Sequence, residues 1–140
     1  MEKLKLITEI TFTAKAEKVW DGLTNPEIVK EYFFGTNLKS DFTVGSPITF
    51  SGDWDGITYE DKGTILEIEP FKFLRYTYWS SMSGTEDILE NYAEISYQII
   101  ENNESTTLVI TQTGLKEEDD MKQHEQNWLH IFNGLKKIIE

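Results

Sequence analysis

The chain has 140 residues, no cysteine, and 25 acidic against 13 basic residues, for a net charge of −12. Without thiols, disulfides, thiolate catalysis and Cys-based zinc sites are excluded. The acidic balance and a single arginine, Arg75, disfavour polyphosphate partners, which are held by Lys and Arg, so nucleic acid is set aside.

A chain of this length is expected to form one domain, residues 1–140, burying roughly two-thirds of its unfolded surface. The N-terminus, MEKLKLITEI, alternates charged and apolar residues and lacks the apolar core of a signal peptide. No stretch has the length of a transmembrane helix, so membrane insertion is not expected and the cytoplasm is the expected location.

Lys3 to Thr13 alternates as a first strand, with Leu6, Ile10 and Phe12 favoured for the core face. Ala16 to Thr24 places Val19, Trp20 and Leu23 on one helical side. Asn25 and Pro26 suit the cap and first position of a second short helix running to Phe33, and Gly35 ends it. From Asn37 the apolar period changes to two. Strands are expected at Asn37–Asp41, Pro47–Trp54, Thr58–Glu69, Lys72–Ser80, Asn91–Glu101 and Thr106–Gly114, separated by Gly-, Pro- and Asn-containing turns. Asp53 to Gly56 shares a fragment with a calcium loop but lacks its remaining ligands, and reads as a hairpin turn. Met82 to Leu89 reads as a loop.

Alternation assigns the core side of these strands to Ile48, Phe50 and Trp54, then Leu66 and Ile68. Leu74, Tyr76 and Tyr78 follow, then Ile95, Tyr97 and Ile99, and finally Leu108, Ile110 and Gln112. The opposite parity places Phe73 and Trp79 outside. Beyond Glu117, acidic residues suit the positive end of a helix dipole. At 100° per residue, Met121, Trp128, Phe132, Leu135 and Ile139 then fall within about 60° of one another. This is a long amphipathic helix, the one element large enough to cover the concave face of a curved antiparallel sheet.

The order of strand, two short helices, six strands and long helix resembles the helix-grip fold, an α+β architecture of the START-like superfamily. The resemblance is carried by Ala16-Glu-Lys-Val-Trp-Asp-Gly-Leu-Thr-Asn-Pro-Glu27, by Lys62-Gly-Thr-Ile-Leu-Glu-Ile-Glu-Pro70 with Leu74-Arg-Tyr-Thr-Tyr-Trp79, and by Asn127-Trp-Leu-His-Ile-Phe-Asn-Gly-Leu-Lys136. These stretches are similar to the branch named for the C-terminal domain of the heat-shock-protein-ninety ATPase activator. The resemblance implies a curved sheet wrapped around the last helix with a cavity between them. The superfamily includes lipid carriers, hormone receptors, polyketide cyclases and co-chaperone modules, so the fold alone does not name an activity. Gln112 stands where the branch often has His, and Asn127 where it often has Gly. A role resting on that His does not carry over, and 140 residues leave no room for the eukaryotic activator's further chaperone-binding domain.

Phe33, Phe50, Trp54, Tyr76, Tyr78, Ile95, Tyr97, Gln112, His124, Trp128 and Phe132 are the candidate ligand-binding residues. Inward tyrosines and a Gln need hydrogen-bond partners, since an unpaired buried polar group costs about 1–3 kcal/mol. The polar groups of a small, mostly apolar or amphipathic molecule, or trapped water, would supply them; a packed core with hydroxyls reaching backbone or solvent is the alternative. The two histidines, His124 and His130, diverge by about 120° on a helix and do not form a metal pair. Glu60 and Asp61, and Glu86, Asp87 and Glu90, read as solvated charge. No cofactor or metal motif is present, and no catalytic residue is assigned. Two further functions stand beside ligand binding. One is a module that modulates a chaperone or other protein through the helix ends and acidic surface, for which an apolar patch of Phe73 and Trp79 outside the sheet, with Phe71 nearby, would be the sign. The other is an enzyme of the cyclase or hydrolase kind, built on His124 or a carboxylate in the cavity.

Overall fold

The computed structural model describes residues 4–33, 35–54, 56–80, 86–115 and 118–140. The chain runs β1 (Leu4–Phe12), α1 (Ala16–Thr24), α2 (Pro26–Tyr32), β2 (Asn37–Ser40), β3 (Pro47–Trp54) and β4 (Ile57–Glu69). It continues through β5 (Phe73–Tyr78), a 3₁₀ turn at Leu89–Asn91, β6 (Ala93–Glu101), β7 (Thr106–Leu115) and α3 (Glu118–Ile139). All strands join one curved antiparallel sheet of order β1-β7-β6-β5-β4-β3-β2, with α3 across its concave side, as expected of an α+β helix-grip fold.

The two short helices are fixed by local chemistry. Asn25 Oδ1 accepts from the Glu27 N–H at 3.0 Å and Pro26 takes the first helical position, a cap with a pre-set φ. Lys15, the residue before α1, supplies no side-chain cap. The Ala16 N–H instead donates at 2.7 Å to Glu101 Oε2, placing a carboxylate at the dipole's positive end. Both helices approach α3 closely. A Cβ on Gly22 would lie 2.6 Å from Leu135 Cδ1, and one on Gly134 would lie 3.1 Å from Tyr32 Cβ.

Curvature originates in β4, the longest strand at 13 residues and the one shared by β3 and β5. Its register with β5 shifts between Ile65 and Glu67, so Ile65 opposes Tyr76 while Ile68 opposes Leu74. The additional residue is Leu66. A bulge of this kind bends the strand and inverts the parity of everything beyond it. Ile65 is therefore 1 % exposed and fully in the core, while Leu66 is only half-buried. The expected inward pair of Leu66 and Ile68 is corrected to Ile65 and Ile68, because simple alternation does not survive a bulge. The same parity turns Tyr59, Asp61 and Gly63 inward. Asp61, expected to be solvated, is 8 % exposed.

The core joins Leu6 and Phe12 of β1 and Val19 and Leu23 of α1 to the inner residues of β3 to β7, roofed by Trp128, Ile131, Phe132 and Leu135. The expected external aromatic patch is not continuous. Trp79 stacks on Tyr92 with centroids 6.4 Å apart and lies beneath Lys62 Nζ at 5.9 Å. Phe71 sits at the far end of β5, 48 % exposed, with its ring against the edge of Trp20.

Candidate functional site

Cross-strand register builds the floor of a cavity. Ile65, Tyr76, Ile95, Gln112 and Leu6 oppose one another in turn across β4, β5, β6, β7 and β1, forming one inward row. The next row, towards the packed end, carries Leu74, Tyr97, Ile110 and Thr8. Over the second row α3 lays Trp128 and Phe132, one helical turn apart. Their rings stack at 5.7 Å and 7°, and Tyr97 meets both edge-on at 6.2 and 5.8 Å. That end is solid.

Beside it lies a hollow of about 660 Å³, lined by Tyr76, Tyr78, Ile95 and Gln112 from the sheet and by His124, Asn127, Trp128 and Ile131 from α3. Phe33, Thr36, Phe50, Tyr59, Asp61 and Ser80 complete the wall. The volume falls within the range of roughly 300–1,000 Å³ usual for small-molecule pockets. An aromatic box forms one side: Phe33 stacks on Phe50 at 5.9 Å, and Phe50 meets Tyr76 and Tyr78, each at 5.9 Å. A larger groove of about 1040 Å³ lies between the start of α1 and the β4–β5 turn. It is flanked by charged groups already engaged, Glu101 at the start of α1 and Glu67 on Arg75, and is the weaker candidate.

Most inward polar groups find partners within the protein. The Tyr76 and Tyr97 hydroxyls share a hydrogen bond of 2.7 Å, and the Trp128 indole N–H donates to Gln112 Oε1 at 2.8 Å. The Thr36 and Tyr59 hydroxyls bond to each other, and Tyr78 donates to Asp61 Oδ2. No ligand is needed to satisfy them. The exception is Asp61 Oδ1, which is buried and has no hydrogen-bond partner among the described residues. Burial is the main cause that pushes the Tyr76, Tyr78 and Tyr97 phenols well above the ordinary tyrosine range. They are neutral hydrogen-bonding groups at neutral pH.

Of the candidate residues, Phe33, Phe50, Tyr76, Tyr78, Ile95, Gln112, His124 and Trp128 line the hollow. Tyr97 and Phe132 stand behind its wall in the solid end. The Trp54 side chain lies outside the described residues, as do residues 81–85 of the expected loop. Sequence reasoning missed Thr36, Tyr59, Asp61, Ser80, Asn127 and Ile131. Tyr59 and Asp61 carried a usable signal, since Tyr59, Asp61, Gly63 and Ile65 alternate on one face if the strand is counted backwards from Ile65. His124 and Asp61 both border the hollow, but no hydrogen bond joins them into an acid–base pair. No group of three metal-ligating side chains occurs among the described residues.

The sequence profile of the family described as activator of Hsp90 ATPase homolog 1-like protein matches residues 13–140. The chain belongs to this family. A solution structure from Cytophaga hutchinsonii is 38% identical, with a TM-score of 0.86 over 99% of this chain and 94% of that one. The Aha1 dimer of Colwellia psychrerythraea is 19% identical, with a TM-score of 0.75 over 98% and 96% of the two chains. CalU16 of Micromonospora echinospora, also 19% identical, gives a TM-score of 0.77 over 99% of this chain and 77% of its own. At that identity the last two show a common fold. No curated protein matches the chain. The family fold is one that accommodates a ligand cavity, and among the described residues no helix is long and apolar enough to cross a membrane.

Proposed function

We propose that this chain acts as a single-domain binding protein for a small, mostly apolar or amphipathic molecule held between the curved sheet and α3. The observation carrying this reading is the aromatic-lined hollow of about 660 Å³ beside a solidly packed end. Removal of apolar area from water, at about 25 cal/mol per Å², drives binding. Phe33, Phe50, Tyr76, Tyr78 and Trp128 provide the surface, and Gln112, His124 and the tyrosine hydroxyls orient the guest. The buried, neutral phenols suit hydrogen-bonded recognition of a guest, and binding without turnover is the favoured activity. The cytoplasm is the proposed compartment, in keeping with a chain that has no cysteine.

Native mass spectrometry of freshly purified protein tests the reading. A reproducible small-molecule adduct, lost on replacing Tyr78 and Phe50 by Ala but retained on replacing exposed Ile57, is expected. If no adduct forms and no apolar probe perturbs Trp128, the reading is wrong.

Family membership supports a second reading, a module that modulates a chaperone or other protein. The acidic surface and exposed Phe71 beside Trp20 are its candidate contacts. Pull-down with purified chaperone, compared between the wild type and Phe71→Ser, separates it from cavity binding.

A further inference from the structure

Among the described residues, Asp61 is the only buried side chain of an acidic or basic residue, at 8 % exposed. It borders the hollow, where one carboxylate oxygen accepts from Tyr78 and the other has no donor among the described residues. A buried carboxylate needs compensating donors on both oxygens, and here the protein provides one. The basic residues of β4 and β5 are committed elsewhere. Lys62 pairs with Asp87 at 2.6 Å, and Arg75 is held between Glu67 and Glu94. The other polar groups at this end of the wall, Thr36 and Tyr59, are spent on each other. An unfilled acceptor therefore belongs to a side chain in the wall of a hollow lined by both aromatic and polar groups.

Resting on the cavity reading above, we infer that the ligand is an amine: an apolar, ring-sized body with a protonated nitrogen that donates to Asp61. The ammonium N–H supplies the absent partner for Oδ1 and cancels the buried charge, and the surrounding Phe50, Tyr76 and Tyr78 rings suit a cation through their negative faces. Carboxylate or phosphate ligands are opposed by the same charge. The net charge of −12 acts in the same direction at long range, attracting cations to the molecule before docking.

The test compares three probes of one shape: 1-naphthylmethylamine, 1-naphthalenemethanol and 1-naphthoic acid. Binding to the whole ¹⁵N-labelled protein at pH 7 is read from the Trp128 indole N–H resonance. The amine is expected to bind at least tenfold tighter than the alcohol, with the acid weakest. Asp61→Asn should abolish that preference, lowering the amine's affinity at least tenfold, and Tyr78→Phe, which frees the second oxygen, should widen it. Equal binding of the three probes, or an Asp61→Asn protein that still prefers the amine, overturns the inference and leaves the cavity reading standing. If Asp61→Asn fails to fold, the wild-type ranking and Tyr78→Phe decide, and an unchanged preference in Tyr78→Phe counts against the proposal. A Trp128 resonance unmoved by millimolar concentrations of all three overturns the inference together with the cavity.

Discussion

The Trp128 indole stacks on Phe132, receives the edge of Tyr97 and donates to Gln112, while another part of it borders the hollow. Its replacement by Ala removes a large buried ring and should destabilise the protein by about 3–5 kcal/mol, measured by urea denaturation. Trp128→Phe keeps a ring on Phe132 but leaves the buried Gln112 oxygen without its donor. A loss of roughly 1–3 kcal/mol is expected, and Trp128→Phe combined with Gln112→Leu should recover most of it. Gly63 is constrained differently: a Cβ there would lie 1.6 Å from the Thr77 carbonyl oxygen. Gly63→Ala should therefore displace β4 from β5, and loss of amide protection on those two strands in hydrogen exchange is the expected sign.

Among the elements, α1 depends on a carboxylate from another strand. With no cap at Lys15, Glu101→Gln should weaken the start of α1 and Glu101→Ala should cost about 0.5–2 kcal/mol, checked by thermal unfolding. Elements defined by an uninterrupted period were legible from sequence. The α3 stripe shows through Trp128, Phe132 and Leu135, and β6 and β7 through Ile95, Tyr97, Leu108 and Ile110, because each buries one face against one neighbour. The interior of β4 was legible only up to Ile65, where the alternation of Tyr59, Asp61 and Gly63 ends and the register breaks. Leu66 is apolar, and its displacement comes from the register β5 imposes, a tertiary constraint that leaves no local trace. Misplacing Leu66 also sent Asp61 to the solvent side. The cavity boundary was equally hidden: Tyr97 and Tyr76 occupy alternating inward positions of neighbouring strands, yet only the placement of α3 makes one of them wall and the other filler.

For the whole molecule, pH is the natural probe. Tyr32, Tyr76, Tyr78 and Tyr97 all have phenol pKa values raised above the ordinary 10.0, with burial the first cause. Raised values mean that the folded state keeps protons the unfolded state releases. Their contribution is thus fully present below about pH 10 and is lost as pH climbs beyond it, each such group removing up to roughly 1.4 kcal/mol per pH unit. Alkaline unfolding should be cooperative, with most tyrosinate absorbance at 295 nm appearing only as the far-ultraviolet dichroism collapses. Tyrosinate absorbance from these four phenols rising well before the fold is lost would contradict this. Half-buried Tyr92 is raised as well, but there the hydrogen bond to Asp87 is the first cause and burial the second.

The bond between Gln112 and the Trp128 indole also has a kinetic side. It rivets the ceiling to the back wall, while the contacts at Gly22 and Gly134 wedge the helix against its neighbours, so traffic must pass through a flank and girth becomes the filter. Cutting the rivet with Gln112→Ala should quicken the exit of any bound probe more than it weakens equilibrium affinity, turning a slow vault into a leaky one.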